Sequence, residues 1–188
     1  MKKNVLISVL MTVVTTVLLG LIYPLAVTGL AQVLFPDKAN GQLIRRNQVL
    51  VGSRLIGQPF TGTGYFHSRP SAAGDNGYDA TASAGSNLGP TNQKLMDRVS
   101  ADVARLQAEN PNAAIPADLV TTSASGLDPE ISPAAAEFQV PRVARERRLP
   151  EAALRQLITR HTRNRDLGLL GEPGINVLEL NMELDAGR

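Results

Sequence analysis

No cysteine occurs among the 188 residues. That excludes disulfides, thiolate catalysis and cysteine-type zinc sites. Tryptophan is absent as well, and with it the strongest interfacial anchor. The two histidines, His67 and His161, are too few for a histidine-rich metal cage. No acidic residue precedes Asp37, and no charge of either sign falls between Asn4 and Pro36. Once Lys2 and Lys3 are set aside, 17 basic residues face 17 acidic ones. The body is therefore formally neutral, which argues against a general nucleic-acid binder.

What is present at the front is one long apolar run, Val5 to Phe35. The hydrocarbon core of a bilayer is about 30 Å thick and needs roughly 20 apolar residues in a helix. The run predicts a single N-terminal transmembrane helix, with an anchor over 1–36 and a body over 37–188. Lys2 and Lys3 keep the N-terminus cytoplasmic by the positive-inside rule. The body beyond Phe35 then lies outside the cytoplasm. The competing reading is a cleaved signal peptide, with Gly29 and Ala31 as the small-residue cleavage pattern. It would release an exported binding domain. Ser8, Thr12, Thr16 and Gly20 recur at i, i+4 and share one broad face, a docking surface for another membrane helix. The plainer account has the hydroxyls bonding their own i−4 carbonyls. Pro24 removes a backbone donor and is expected to kink the outer end.

The body is long enough for one domain with its own core. Leu43–Ile44 and Val49–Val51 flank Arg45–Gln48 as two short strands or a hairpin. Residues 61–92 are dense in Gly, Ser, Ala and Asn, and predict a long loop, flexible or ordered by partners. Leu95, Val99, Val103 and Leu106 mark a helix capped by Asn92 and ending near Asn110–Pro111. A second opens at Ser132–Pro133, with Pro141 expected to bend or interrupt it. A third starts near Pro150, with Leu154, Leu157, Ile158 and His161 on one side. Ile175 to Leu184 alternates as a half-buried strand. Helices and short strands mix without a βαβ rhythm, so the fold class is α+β.

No catalytic set emerges. Gly52-Ser-Arg-Leu-Ile-Gly57 has P-loop glycine spacing, but Gln58 and Pro59 stand where Lys and Ser/Thr are needed. Asp75-Asn-Gly-Tyr-Asp79 lacks the remaining ligands of a calcium loop and reads as an Asx-type turn. His67, in Tyr65-Phe-His-Ser-Arg-Pro70, has no acidic partner nearby and reads as a hydrogen-bonding residue rather than a general base. Arg142, Arg145, Arg147, Arg148, Arg155, Arg160, Arg163 and Arg165 form a basic stretch. Solvated helix faces are its default reading, and phosphate or anionic lipid contact the sharper one. Thr121-Thr-Ser-Ala-Ser-Gly-Leu-Asp-Pro-Glu-Ile-Ser-Pro133 could present N–H groups to an anion at the coming helix. Its bland reading is an ordinary turn and an ordinary cap. A stand-alone hydrolase is disfavoured because no nucleophile–base pair is visible.

Several segments carry a resemblance. They are Leu55-Ile-Gly-Gln-Pro-Phe60, Gly64-Tyr-Phe-His-Ser-Arg-Pro-Ser-Ala72, Gly85-Ser-Asn-Leu-Gly-Pro90, Leu119-Val-Thr-Thr-Ser-Ala-Ser-Gly-Leu-Asp-Pro129, Gln139-Val-Pro-Arg-Val143 and Asn176-Val-Leu-Glu-Leu-Asn181. Together with the single membrane helix they resemble the C subunit of Kdp-type potassium-transporting ATPases over essentially the whole chain. The resemblance implies a non-catalytic accessory subunit of an ATP-driven potassium import complex. Its implied partners are a channel-like potassium-binding subunit, a P-type ATP-hydrolysing subunit and a small fourth membrane subunit. It implies no metal and no firmly bound cofactor, with ATP reached through the complex. The family is also described as a catalytic chaperone that raises ATP affinity. Its Ser/Gly motif is likened to an ABC signature, which implicates Ser123, Ser125, Gly126 and Gln139. An extracytoplasmic body conflicts with that role, since ATP is scarce there. The structural role is preferred: the helix docks beside the channel-like subunit and the body covers its outer face, which orders the 61–92 loop.

Overall fold

A computed structural model describes residues 1–187. The chain divides into two compact units, Met1–Val51 and Gly52–Arg188. The first is dominated by one helix, α1 (Lys2–Leu34), of 33 residues with no buried side chain. At 1.5 Å per residue it is about 50 Å long, enough to cross a membrane. Pro24 does not break it. The helix widens to π register over Thr16–Ile22, where Tyr23 N–H reaches back to the Leu18 carbonyl. The wider turn lies immediately ahead of the proline ring and takes up the lost donor.

Phe35 leaves the helical region, and a single turn, α2 (Pro36–Ala39), follows. Strands β1 (Leu43–Arg46) and β2 (Val49–Ser53) form the expected hairpin. Its two turn residues, Asn47 and Gln48, both have positive φ (51° and 66°). That matches the right-handed twist of paired strands.

Among the described residues the second unit holds four α-helices and a small sheet. Helix α3 (Gln93–Glu109) starts where Asn92 accepts from Lys94 N–H. Helix α4 (Pro133–Arg147) starts where Ser132 Oγ accepts from Ala135 N–H. It runs through Pro141 without interruption to a left-handed Arg148. Buried Val140, Val143 and Ala144 hold the stretch that follows the lost bond. Helix α5 (Glu151–His161) buries Leu154, Leu157 and Ile158, as its spacing predicts. Between α3 and α4 lies β3 (Glu130–Ile131); after α5 come β4 (Thr162–Arg163) and β5 (Gly174–Asn176). The sheet order is β3-β5-β4, antiparallel throughout, with Ile175 opposite both Ile131 and Thr162.

The C-terminal segment corrects the sequence reading. The expected strand Ile175–Leu184 is strand only to Asn176. From there α6 (Val177–Ala186) begins, capped by Asn176 Oδ1, which accepts from Glu179 N–H at 3.1 Å. The buried set is Val177, Leu178, Leu180, Asn181 and Leu184, an i, i+1, i+3, i+4, i+7 pattern that belongs to a helix. The alternation of leucines satisfied a period of two only because Asn181 was counted as outward. The core formed by α4, α5, α6 and the sheet includes Ile131, Phe138, Val143, Leu154, Ile175 and Leu180.

Candidate functional site

The long polar segment 61–92 has no helix or strand, yet its backbone is tied to side chains far along the chain. Phe66 and Ala73 are fully buried. Two buried amide side chains take the place of a neighbouring strand. Asn181 Oδ1 accepts from Phe66 N–H, and its Nδ2 donates to Phe66 O, both at 2.9 Å. Gln139 Oε1 accepts from His67 N–H at 2.7 Å, and its Nε2 donates to His67 O at 3.1 Å. Consecutive backbone groups are thus satisfied inside the protein, as buried polar groups must be.

Two arginines of the basic stretch strap the same segment. Arg142 is buried, pairs with Glu109 at 2.8 Å, and donates to the carbonyls of Thr63 and Tyr65. Arg147 donates to Gly64 O at 2.6 Å, pairs with Asp185 at 2.8 Å, and lies over the Tyr65 ring at 4.4 Å. Tyr65 OH donates to Asp185 as well. Neither arginine sits on a solvated face, against the default reading. Arg155, Arg160, Arg163 and Arg165 are exposed but paired with Glu137, Glu183, Glu130 and Glu172.

Below this strap a cavity of about 410 Å³ opens between the 59–78 segment and α3. Phe60, His67, Arg69, Tyr78, Arg105 and Glu109 are among its walls. Its charges are matched: Arg69 pairs with Asp128, Arg105 with Asp102, Glu109 with Arg142. Three of its hydroxyls are committed: Ser68 Oγ donates to Gln58 O, Ser71 Oγ to Gly126 O, Tyr78 OH to Arg69 O. The His67 ring bonds Gly62 O through Nε2 at 3.0 Å. Burial, with the Arg142 charge second, holds His67 below its ordinary pKa, while burial raises the Tyr78 phenol. Serine and imidazole are not paired here, so the geometry suits holding chain together rather than nucleophilic attack.

The Ser/Gly motif is part of the same construction. Ser83 Oγ donates to Ser125 O at 3.0 Å, and Ser71 Oγ to Gly126 O at 2.6 Å. Gly126 has φ +67°, and a Cβ there would meet Ala84 O at 2.5 Å and Ala73 N at 2.8 Å. Only glycine permits that approach. Ser125 Oγ accepts from Leu127 N–H and lies 3.5 Å from Ser123 Oγ. Asp128 closes an Asx turn on Glu130 N–H, and Ser132 caps the helix that follows. Gln139 stands apart from the motif: its bonds go to His67, Ala135 and Arg142, which uses both donors and both acceptor positions of the amide. Asp79 forms an Asx turn with Thr81, and those bonds lower its pKa. In α1, Ser8 Oγ donates to Asn4 O and Thr12 Oγ1 to Ser8 O, each at 2.9 Å. Gly20 faces the Thr16 methyl, 3.8 Å from where a Cβ would stand.

The residues that sequence reasoning missed are Asn181, Arg142 and Arg147 as loop-holding groups. A polar residue inside an otherwise apolar helix period is the signal that could have found Asn181.

The family model described as KdpC, K+-transporting ATPase, c chain, matches residues 5–186. Among relatives named potassium-transporting ATPase KdpC subunit, one from Koribacter versatilis is 69% identical over 98% of this chain and 95% of its own. One from Acidobacterium capsulatum is 59% identical over 95% of each chain. One from Rhodopseudomonas palustris is 56% identical over the whole of both. With 182 of its residues inside the family model's limits, and a long apolar helix ahead of a strapped α+β body, this chain belongs to the KdpC family of potassium-transporting ATPase subunits.

Proposed function

We propose that the chain is a non-catalytic accessory subunit that stabilises an ATP-driven potassium import complex. Its α1 crosses the inner membrane once, with the N-terminus cytoplasmic. The helix docks beside the channel-like subunit, and the body covers that subunit's outer face. The P-type ATP-hydrolysing subunit and a small fourth membrane subunit complete the assembly. The observation that carries the reading is α1 itself: a 33-residue, predominantly apolar helix with no side chain buried, in a chain of this family. Such a surface is satisfied only by lipid and by companion helices.

The face Ser8, Thr12, Thr16, Gly20 supports docking through size. In an α-helix each step of four overshoots one turn. In the wider Thr16–Ile22 stretch a step of four falls short instead, so Gly20 is drawn back toward the row. The hydroxyls of Ser8 and Thr12 are spent on their own backbone, which leaves a smooth, small-residue strip for close approach.

ATP is left to the companion subunit. Gln139 has no unused hydrogen-bonding position, and Gly126 is packed under Ala73 and Ala84. Both are needed to hold the loop.

Gly20→Leu tests the docking. The full chain should still insert in the membrane, while co-purification of the channel-like subunit drops sharply. Undiminished recovery of that subunit would sink the reading. Topology is tested separately with Ser100→Cys on exposed α3. Because the native chain has no cysteine, an impermeant maleimide should label this site from outside intact cells. Protection there would place the body in the cytoplasm.

A further inference from the structure

The short stretch after α1 carries a second membrane contact. We propose that the β1–β2 hairpin rests on anionic phospholipid headgroups at the face where α1 emerges.

Position comes first. A helix of about 50 Å exceeds the hydrocarbon core and matches the roughly 40–45 Å of a bilayer with its headgroups. The last turn of α1 therefore arrives at headgroup level. The chain is then folded back onto that turn. Asn40 and Gln32 exchange two amide hydrogen bonds, at 3.1 and 3.3 Å. Asn40 Nδ2 also donates to Pro36 O at 2.7 Å, and Gln42 N–H to Asp37 O at 3.0 Å. The hairpin begins one residue later, at Leu43. From Asn40 to Arg46 the chain spans at most about 20 Å, so the hairpin stays beside the bilayer face.

Chemistry comes second. Leu43, Val49 and Leu50 are 49%, 67% and 50% exposed. Period-two alternation sets Leu43 and Arg45 on the same face of β1. Arg45 and Arg46 are exposed and, among the described residues, have no carboxylate within 4 Å. That is exceptional in this molecule. From Arg54 to Arg165 every arginine except Arg148 is paired with an acid. Lys38 lies 5.9 Å from the centre of the Phe35 ring, at the same level. An unpaired cationic surface with exposed aliphatic side chains, fixed at a bilayer face, is complementary to anionic headgroups over acyl chains. The contact rests on α1 spanning the membrane, and on nothing else in the proposed assembly.

The cysteine-free background makes the test clean. The full chain is labelled with an environment-sensitive fluorophore at Val49→Cys and reconstituted in phosphatidylcholine nanodiscs, with or without phosphatidylglycerol, each holding a headgroup-linked nitroxide lipid. Quenching at position 49 should rise with phosphatidylglycerol. The double variant R45Q/R46Q should lose about an order of magnitude of that preference. A label at Val13→Cys with an acyl-chain nitroxide reports insertion of α1. No quenching at 13 would overturn the membrane-spanning reading. Quenching at 13 with none at 49, or a lipid response untouched by R45Q/R46Q, would overturn the hairpin contact alone. So would a label at 49 in the assembled complex that crosslinks to a companion subunit and ignores lipid composition.

Discussion

From Met1 to Val51 no side chain is buried. From Gly52 onward even irregular backbone is held by side chains that are themselves inaccessible, with Phe66 fully buried and Gln139 and Asn181 1% exposed. The first unit has unpaired cations and bare aliphatic surface; the second pairs almost every arginine. The difference separates two ways of satisfying a chain. The body supplies its own partners, so its fold is encoded internally. The long apolar helix of the first unit has no side chain buried by the rest of the chain, so nothing within the molecule covers its surface. One stretch of the body is exposed in the same way: Leu167, Leu169 and Leu170 are 90%, 81% and 61% exposed. Their loop is pinned by reciprocal backbone bonds between Asp166 and Leu170, each 2.9 Å.

The comparison breaks most severely at Arg142. Arg142→Met leaves Glu109, whose side chain is 13% exposed, without its counter-charge, and frees the carbonyls of Thr63 and Tyr65. Removing one partner of a buried pair costs about 3–5 kcal/mol. Urea unfolding of the full chain in detergent should show a loss of that order. Glu109→Leu combined with Arg142→Met should recover part of it, because no charge is then left uncompensated. Next comes Asn181→Ala, which orphans the Phe66 N–H and C=O. Each orphaned buried group costs about 1–3 kcal/mol. Hydrogen exchange at the Phe66 amide and proteolytic nicking within 61–92 should both accelerate, while α5 stays protected.

A smaller effect is expected from pH. Burial and the neighbouring Arg142 hold the His67 pKa below its ordinary 6.5, against weaker help from Gly62 and Glu109. The unfolded chain therefore binds more protons than the folded one as pH falls past that value. The stability contributed by neutral His67 is complete above the ordinary imidazole pKa and is lost as pH drops from there toward the folded pKa. His67→Gln should flatten that part of the stability–pH curve. An unchanged slope in the variant would show that the ring titrates freely.

These experiments bear on what the sequence made legible. Asn92 and Ser132 announced two helices correctly, because a cap acts on its own next turn, and Pro150 a third, because its ring fixes φ just ahead of the helix. The hairpin was legible for the same local reason. The order of 61–92 was not, since it depends on Gln139, Arg142, Arg147 and Asn181, which are 47 or more positions beyond the loop's end. Polarity also pointed the wrong way. Arg142 and Arg147 read as solvated and Asn181 as outward, although each is turned inward to serve backbone groups. The same error made a strand of α6. At the Ser/Gly motif the cap and the Asx turn were legible, because they are again local. The exposed leucines at 167–170 carry no periodic signal at all.

The smallest expected effect lies in the anchor and sharpens what kind of surface it is. Ser8→Ala with Thr12→Ala removes two hydroxyls that donate to the helix's own carbonyls. Such bonds are not needed for helix integrity, since the carbonyls already accept from backbone N–H groups. Body unfolding and co-purification of companion subunits should both stay within error of the native chain, in contrast to Gly20→Leu. If the paired alanines instead released the companions, the hydroxyls would have to turn across to a neighbouring helix on assembly. The row would then dock by hydrogen bonding, worth about 0.6 kcal/mol on average in membrane interiors, rather than by small size. That outcome would also weaken the contrast between the units, since the anchor would then hold its partners by the polar means that the body uses on itself.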